Sequence, residues 1–93
     1  MENKSPQSTQ KINLICITPE KKIFEGEVSM VVIPGEEGEF GVLPRHMSFV
    51  SLLKSGTVKI YQGHEITQTI SITGGVAEVN PQGCRILADG LAA

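Results

Sequence analysis

The apolar residues of this chain come in short runs, rich in β-branched side chains, and glycine or proline closes most of them. That punctuation leaves no room for a long helix. Ile12-Asn13-Leu14-Ile15-Cys16-Ile17-Thr18 ends at Pro19 and reads as a strand. Gly26 to Ile33 reads as another, with Val28, Met30 and Val32 on one face and Val31 and Ile33 on the other. Apolar residues on both faces predict a strand covered by a second sheet or by a partner. Thr57 to Tyr61 and Glu65 to Ile72 alternate about the hairpin-sized gap Gln62-Gly63, with Ile66, Ile70 and Ile72 sharing one face. Val76 to Val79 and Cys84 to Ala88 flank the turn Asn80-Pro81-Gln82-Gly83. His46 to Leu53 fits neither period cleanly. No stretch of ten residues has helical spacing. The pattern predicts an all-β protein, a small flattened antiparallel sandwich or barrel of about ten short strands.

Length and charge narrow the function classes. With 93 residues the chain makes one small domain with one modest core. A polar tail is expected over 1–11, the folded domain over 12–89, and a short tail over 90–93. The net charge of −2, with eight Lys and Arg spread along the chain, argues against nucleic acid as a partner. Aromatic residues make up 4% and Trp is absent, which argues against a stacking platform for bases. No apolar run reaches the ~18–20 residues of a spanning helix, so any membrane connection is expected to pass through a partner. Met1 to Gln10 lacks the marks of a secretory or transit signal, and two cysteines make no disulfide framework. Both thiols are expected to be free in a reducing compartment.

Few constellations suggest chemistry. Gly35, Gly38 and Gly41 recur at every third residue, but the spacing matches no phosphate-binding loop, and Glu36, Glu37 and Glu39 would repel an anion. Read locally, each glycine permits positive φ in a tight double turn. With Phe40 beside them, the three carboxylates make a protruding acidic recognition loop. His64 falls at a hairpin end and reads as a solvated turn residue. Cys16 and Cys84 fall within apolar strands and read as core fillers. His46, His64, Cys16 and Cys84 could together hold zinc, but no Cys-x-x-Cys or His-x₃-His spacing exists among them. No cofactor, metal or catalytic residue is expected. A binding or structural module is favoured over an enzyme, with a Cys–His enzyme and a stand-alone protein-binding sandwich as the alternatives.

Four collinear motifs then point to a family. They are Pro19-Glu20-Lys21 with Phe24-Glu25-Gly26-Glu27-Val28; Val32 through His46; Leu53-Lys54-Ser55-Gly56-Thr57-Val58; and Ile72 through Val79, closing at Leu87-Ala88-Asp89. Together they resemble the amino-terminal domain of the F-type ATP synthase ε subunit. The resemblance implies a non-catalytic central-stalk subunit of the F1Fo complex. It would join the γ subunit to the ring of membrane c subunits and help couple proton flow to ATP synthesis. It implies a c-ring contact at Glu37, Gly38 and Glu39 and a γ contact at His46. It implies a peripheral location at the cytoplasmic face of a bacterial inner membrane. Two departures stand out. The family's carboxy-terminal helical hairpin has no counterpart after Asp89, so its inhibitory and ATP-binding roles are not expected here. Arg45 stands where the family motif commonly has a small residue.

Overall fold

A computed structural model describes residues 11–45 and 47–92. Residues 1–10 of the tail expected over 1–11, and the expected γ contact at His46, lie outside the described residues; Lys11 is described, and its ammonium donates to Gln62 Oε1 at 2.8 Å. Among those described, nine strands and no helix are assigned: β1 (Ile12–Ile17), β2 (Lys22–Val28), β3 (Met30–Gly35), β4 (Gly38–Val42), β5 (Phe49–Leu53), β6 (Gly56–Gln62), β7 (Glu65–Ile72), β8 (Gly75–Asn80) and β9 (Gly83–Ala88). They form one sheet in the order β2-β1-β9-β8-β5-β3-β6-β7, with β4 added to β3. The all-β class predicted from the punctuation is therefore the class observed.

The sheet works as two layers because β5 and β3 meet at one residue pair, Gly35 with Leu53. On one side, β2, β1, β9, β8 and β5 pair in turn. On the other, β4, β3, β6 and β7 do so. Curling at that narrow junction turns both apolar faces inward. Alternation then sorts the side chains. Ile12, Leu14 and Cys16 of β1 are buried, as are Val31 and Ile33 of β3, Val58 and Ile60 of β6, Ile70 and Ile72 of β7, and Cys84, Ile86 and Ala88 of β9. They form a single core cluster, with Phe24, Phe40 and Phe49 packed on its margin. Each fully buried Val, Leu or Ile contributes about 1.5–3 kcal/mol of burial free energy.

Three details differ from the sequence reading. The pairing is not wholly antiparallel, since β1 and β9 run parallel, with Leu14 opposite Cys84 and Cys16 opposite Ile86. The expected strand from Gly26 to Ile33 is two strands broken at Ser29. There the Ser29 amide donates to the Tyr61 carbonyl at 2.9 Å, and its Oγ accepts from the Gly63 amide at 2.8 Å, so the chain bends from one layer into the other. Ile66 is 48% exposed rather than sharing the buried face of Ile70 and Ile72, because the β6–β7 register shifts between Ile60 and Tyr61. The ambiguous segment resolves into β5 over its last five residues. The expected tail after Asp89 is partly tied down: Leu91 bridges to Ile72, and the Ala92 amide donates to the Ser71 carbonyl at 2.9 Å.

Candidate functional site

The acidic motif folds as a β-hairpin rather than as a double turn. Gly35 and Gly38 face each other across the two-residue turn Glu36-Glu37, and the ladder continues through Pro34–Glu39, Ile33–Phe40, Val32–Gly41 and Val31–Val42. Of the three regularly spaced glycines, Gly38 alone has positive φ, at 132°. Gly35 is needed for a different reason. A Cβ there would stand 2.9 Å from the Gly38 carbonyl oxygen and 2.9 Å from the Phe40 ring. At Gly41 a Cβ would meet ordinary contact with Met30. Spacing alone could not separate those three roles.

The tip is braced from the side. The Glu36 amide donates to the Leu52 carbonyl at 3.0 Å, and the Lys54 amide donates to the Pro34 carbonyl at 2.9 Å. These bonds fasten the hairpin to β5 at the junction of the two layers. Phe40 meets Phe49 edge to face at a centroid distance of 5.5 Å, and both rings are packed on the core. Gly35 to Phe40 on one wall and Phe49 to Leu52 on the other enclose an open cleft of about 530 Å³. Its rim is anionic and its β5 wall is apolar, with Val50 and Leu52 largely exposed.

The expected c-ring residues Glu37, Gly38 and Glu39 thus stand together on an exposed, fastened edge. They are not equivalent. Glu39 is 3.5 Å from the Lys59 ammonium, an ion pair at the surface. Neither Glu36 nor Glu37 has an ion-pair partner among the described residues. A carboxylate without an internal partner is the better acceptor for a cation from outside, because no existing bond must first be broken. Such an edge can receive guanidinium or ammonium groups, with apolar contact along β5.

The sequence reading missed the apolar half of this site. Val50 and Leu52 alternate with Phe49, Ser51 and Leu53, so both faces of β5 carry apolar residues. That two-faced pattern is the same signal that marked Met30 to Ile33, and it was readable in His46 to Leu53. The expected covered face around Met30 to Ile33 is there in milder form, since Met30 and Val32 are half-buried.

The two thiols are sealed in the core. Cys16 is 0% exposed and Cys84 4%. Burial pushes the Cys84 thiol up to about 12, with the neighbouring Cys16 adding to the effect, and burial raises Cys16 as well. Raised thiols are poorly ionised and are weak nucleophiles. His64 is exposed at the β6–β7 turn. This arrangement is the reverse of what a Cys–His enzyme requires.

Comparison with known proteins fits this picture. The model of the ATP synthase delta/epsilon chain β-sandwich domain matches residues 11–92. The chain belongs to this family. The ATP synthase epsilon chain of Granulibacter bethesdensis is 44% identical over 77 residues, covering 83% of this chain and 57% of that protein. The epsilon chain of Campylobacter concisus is 46% identical over 80 residues, covering 86% and 62%. That of Caulobacter vibrioides is 43% identical over 79 residues, covering 85% of this chain and 91% of the relative. The chain therefore spans about three-fifths of the first two relatives and nearly all of the third. Among solved structures, a chain of the Euglena gracilis mitochondrial ATP synthase, solved as OSCP/F1/c-ring in rotational state 1, superposes with a TM-score of 0.80 at 26% identity, over 88% of this chain and 52% of that one. A chain of the Tetrahymena thermophila central stalk/c-ring structure superposes at 0.73 and 20% identity, over 89% and 66%, and shows the shared fold. The epsilon chain is a non-catalytic subunit, so family membership and the sealed thiols agree.

Proposed function

We propose that this ε-type chain is a rotor-stalk subunit that holds the γ subunit on the c ring and turns with them. The reading draws on the family match and on one structural observation, the carboxylate-bearing hairpin fastened to the junction of two sheet layers. A mechanical coupling element must be stiff where it touches its partner. The backbone bonds from the Glu36 amide to Leu52 and from the Lys54 amide to Pro34 meet that need, since they remove the freedom a bare hairpin tip would keep. Glu37 and Glu39, with Gly38 between them keeping the tip slim, face the polar loops of the c ring and accept charge-assisted hydrogen bonds from their cations. The γ subunit docks along the β4–β5 connection that contains His46, beside the apolar residues of β5. The protein acts at the membrane through these partners, on the cytoplasmic side in a bacterium, and coupling to proton flow is the role of the whole assembly. Inhibition of hydrolysis and ATP binding belong to a helical hairpin outside this domain.

The test is reconstitution of the full chain with separately purified γ subunit and c ring. Wild-type protein is expected to form a saturable one-to-one complex with γ, and that complex to dock on the ring. Glu37→Arg and Glu39→Arg are each expected to weaken ring docking while leaving γ binding and the fold intact. Glu37→Arg should have the larger effect, because it removes a carboxylate with no internal partner. Unchanged docking by both variants would overturn the hairpin assignment, and absence of γ binding would overturn the stalk role.

A further inference from the structure

Arg45 is the one described residue other than glycine with positive φ, at 64°. A side chain with a Cβ is disfavoured there, and glycine or asparagine would adopt the angle more readily. A hydrogen bond to a distant turn holds the conformation. The Arg45 amide donates to the Pro81 carbonyl at 3.2 Å. Pro81 lies in a turn that is itself braced, since Asn80 Oδ1 accepts from the Gln82 amide at 2.9 Å and the Gly83 amide at 3.0 Å. The fold thus needs this backbone shape, but it has no use for the guanidinium. Arg45 is exposed and has no hydrogen bond or ion pair from its side chain among the described residues. An unfavourable backbone state that the packing maintains at an exposed, chemically capable residue marks a functional position.

The surroundings say what the cation meets. Leu43 is 54% exposed and Met47 79% exposed, so a long apolar side chain stands two residues away on each side. One exposed guanidinium with apolar residues near it in sequence is a poor match for a nucleic-acid backbone, which is held by several cations at once. It suits a single carboxylate on a protein surface. Closure of the apolar flanks would exclude water and strengthen the pair, and the planar fork of Arg matches a carboxylate with two parallel bonds. The acidic hairpin lies at the opposite end of β4. The two ends of β4 therefore present opposite charges.

We propose that Arg45, flanked by Leu43 and Met47, pairs with a carboxylate of the γ subunit and orients γ on this domain. This inference rests on the stalk reading above and names the chemistry of its γ contact. The experiment is binding calorimetry of the full chain against cognate γ subunit, with thermal unfolding of the same samples. Arg45→Gly is expected to unfold a few degrees higher than wild type, because it relaxes the backbone. It is nevertheless expected to bind γ about tenfold more weakly and with a shallower salt dependence. Arg45→Gln is expected to lose binding similarly without the gain in stability, and Arg45→Lys to fall between it and wild type. Opposite changes in stability and affinity separate a contact role from a folding role. Equal affinity of Arg45→Gly and wild type, or a fall in its unfolding temperature, would overturn the proposal and leave the stalk reading standing. Failure of wild type to bind γ would overturn both.

Discussion

The two ends of β4 both need a positive φ, and they fill it with opposite kinds of residue. At its start Gly38 holds φ at 132°, and just beyond its end Arg45 holds φ at 64°. At Gly38 the turn takes the residue that suits it, and the chemistry sits on the neighbouring glutamates. At Arg45 the chemistry sits on the strained residue itself. Local preference and global structure agree at the first end and conflict at the second. Such conflicts are expected where binding, rather than folding, selects the side chain. The hairpin end is anionic and braced against β5. The loop end is cationic, flanked by exposed apolar residues, and braced against the β8–β9 turn.

Substitutions at the hairpin end sharpen the contrast. Gly35→Ala is expected to cost the most, about 2–3 kcal/mol, because the added methyl would press on the Gly38 carbonyl and the Phe40 ring. Chemical denaturation would measure that loss, and wild-type stability would show that the hairpin can open without cost. Gly38→Ala meets open space, so its expected cost of about 1–3 kcal/mol is backbone strain alone. A loss beyond that range would mean that contact, rather than φ, governs the tip. Lys59→Met removes the cation paired with Glu39. Both side chains of that pair are more than one-third exposed, so stability should change by no more than a few tenths of a kcal/mol. Its informative readout is c-ring docking, which is expected to tighten slightly as Glu39 is released. Weaker docking would show that Lys59 itself takes part in the contact.

Much of the fold was legible because period-two alternation is a local signal. Val58 with Ile60 and Ile70 with Ile72 are buried as their spacing indicates, and Cys16 and Cys84 are the core fillers that their apolar strands suggested. Where alternation was interrupted, reading failed. Ser29 breaks one expected strand into two through a hydrogen bond to Tyr61, more than thirty positions away. The displaced Ile66 follows from a register shift against β6, which no property of β7 announces. The acidic tip was legible as a loop from its Gly and Glu content. Its hairpin geometry and its cleft were not, because both depend on β5.

By itself the sequence determined the all-β class, the composition of the core and the exposed acidic turn. Those depend on side-chain periodicity and on glycine and proline, which act within a few residues. The four ordered motifs also carried the family. Only the tertiary structure decided the parallel union of β1 with β9, the folding of one sheet into two layers at Gly35 and Leu53, and the apolar wall that β5 gives the hairpin. It also decided that Arg45 carries a left-handed backbone. Each of these is set by hydrogen bonds between segments distant in the chain, whose partners are chosen by closure of the shared core.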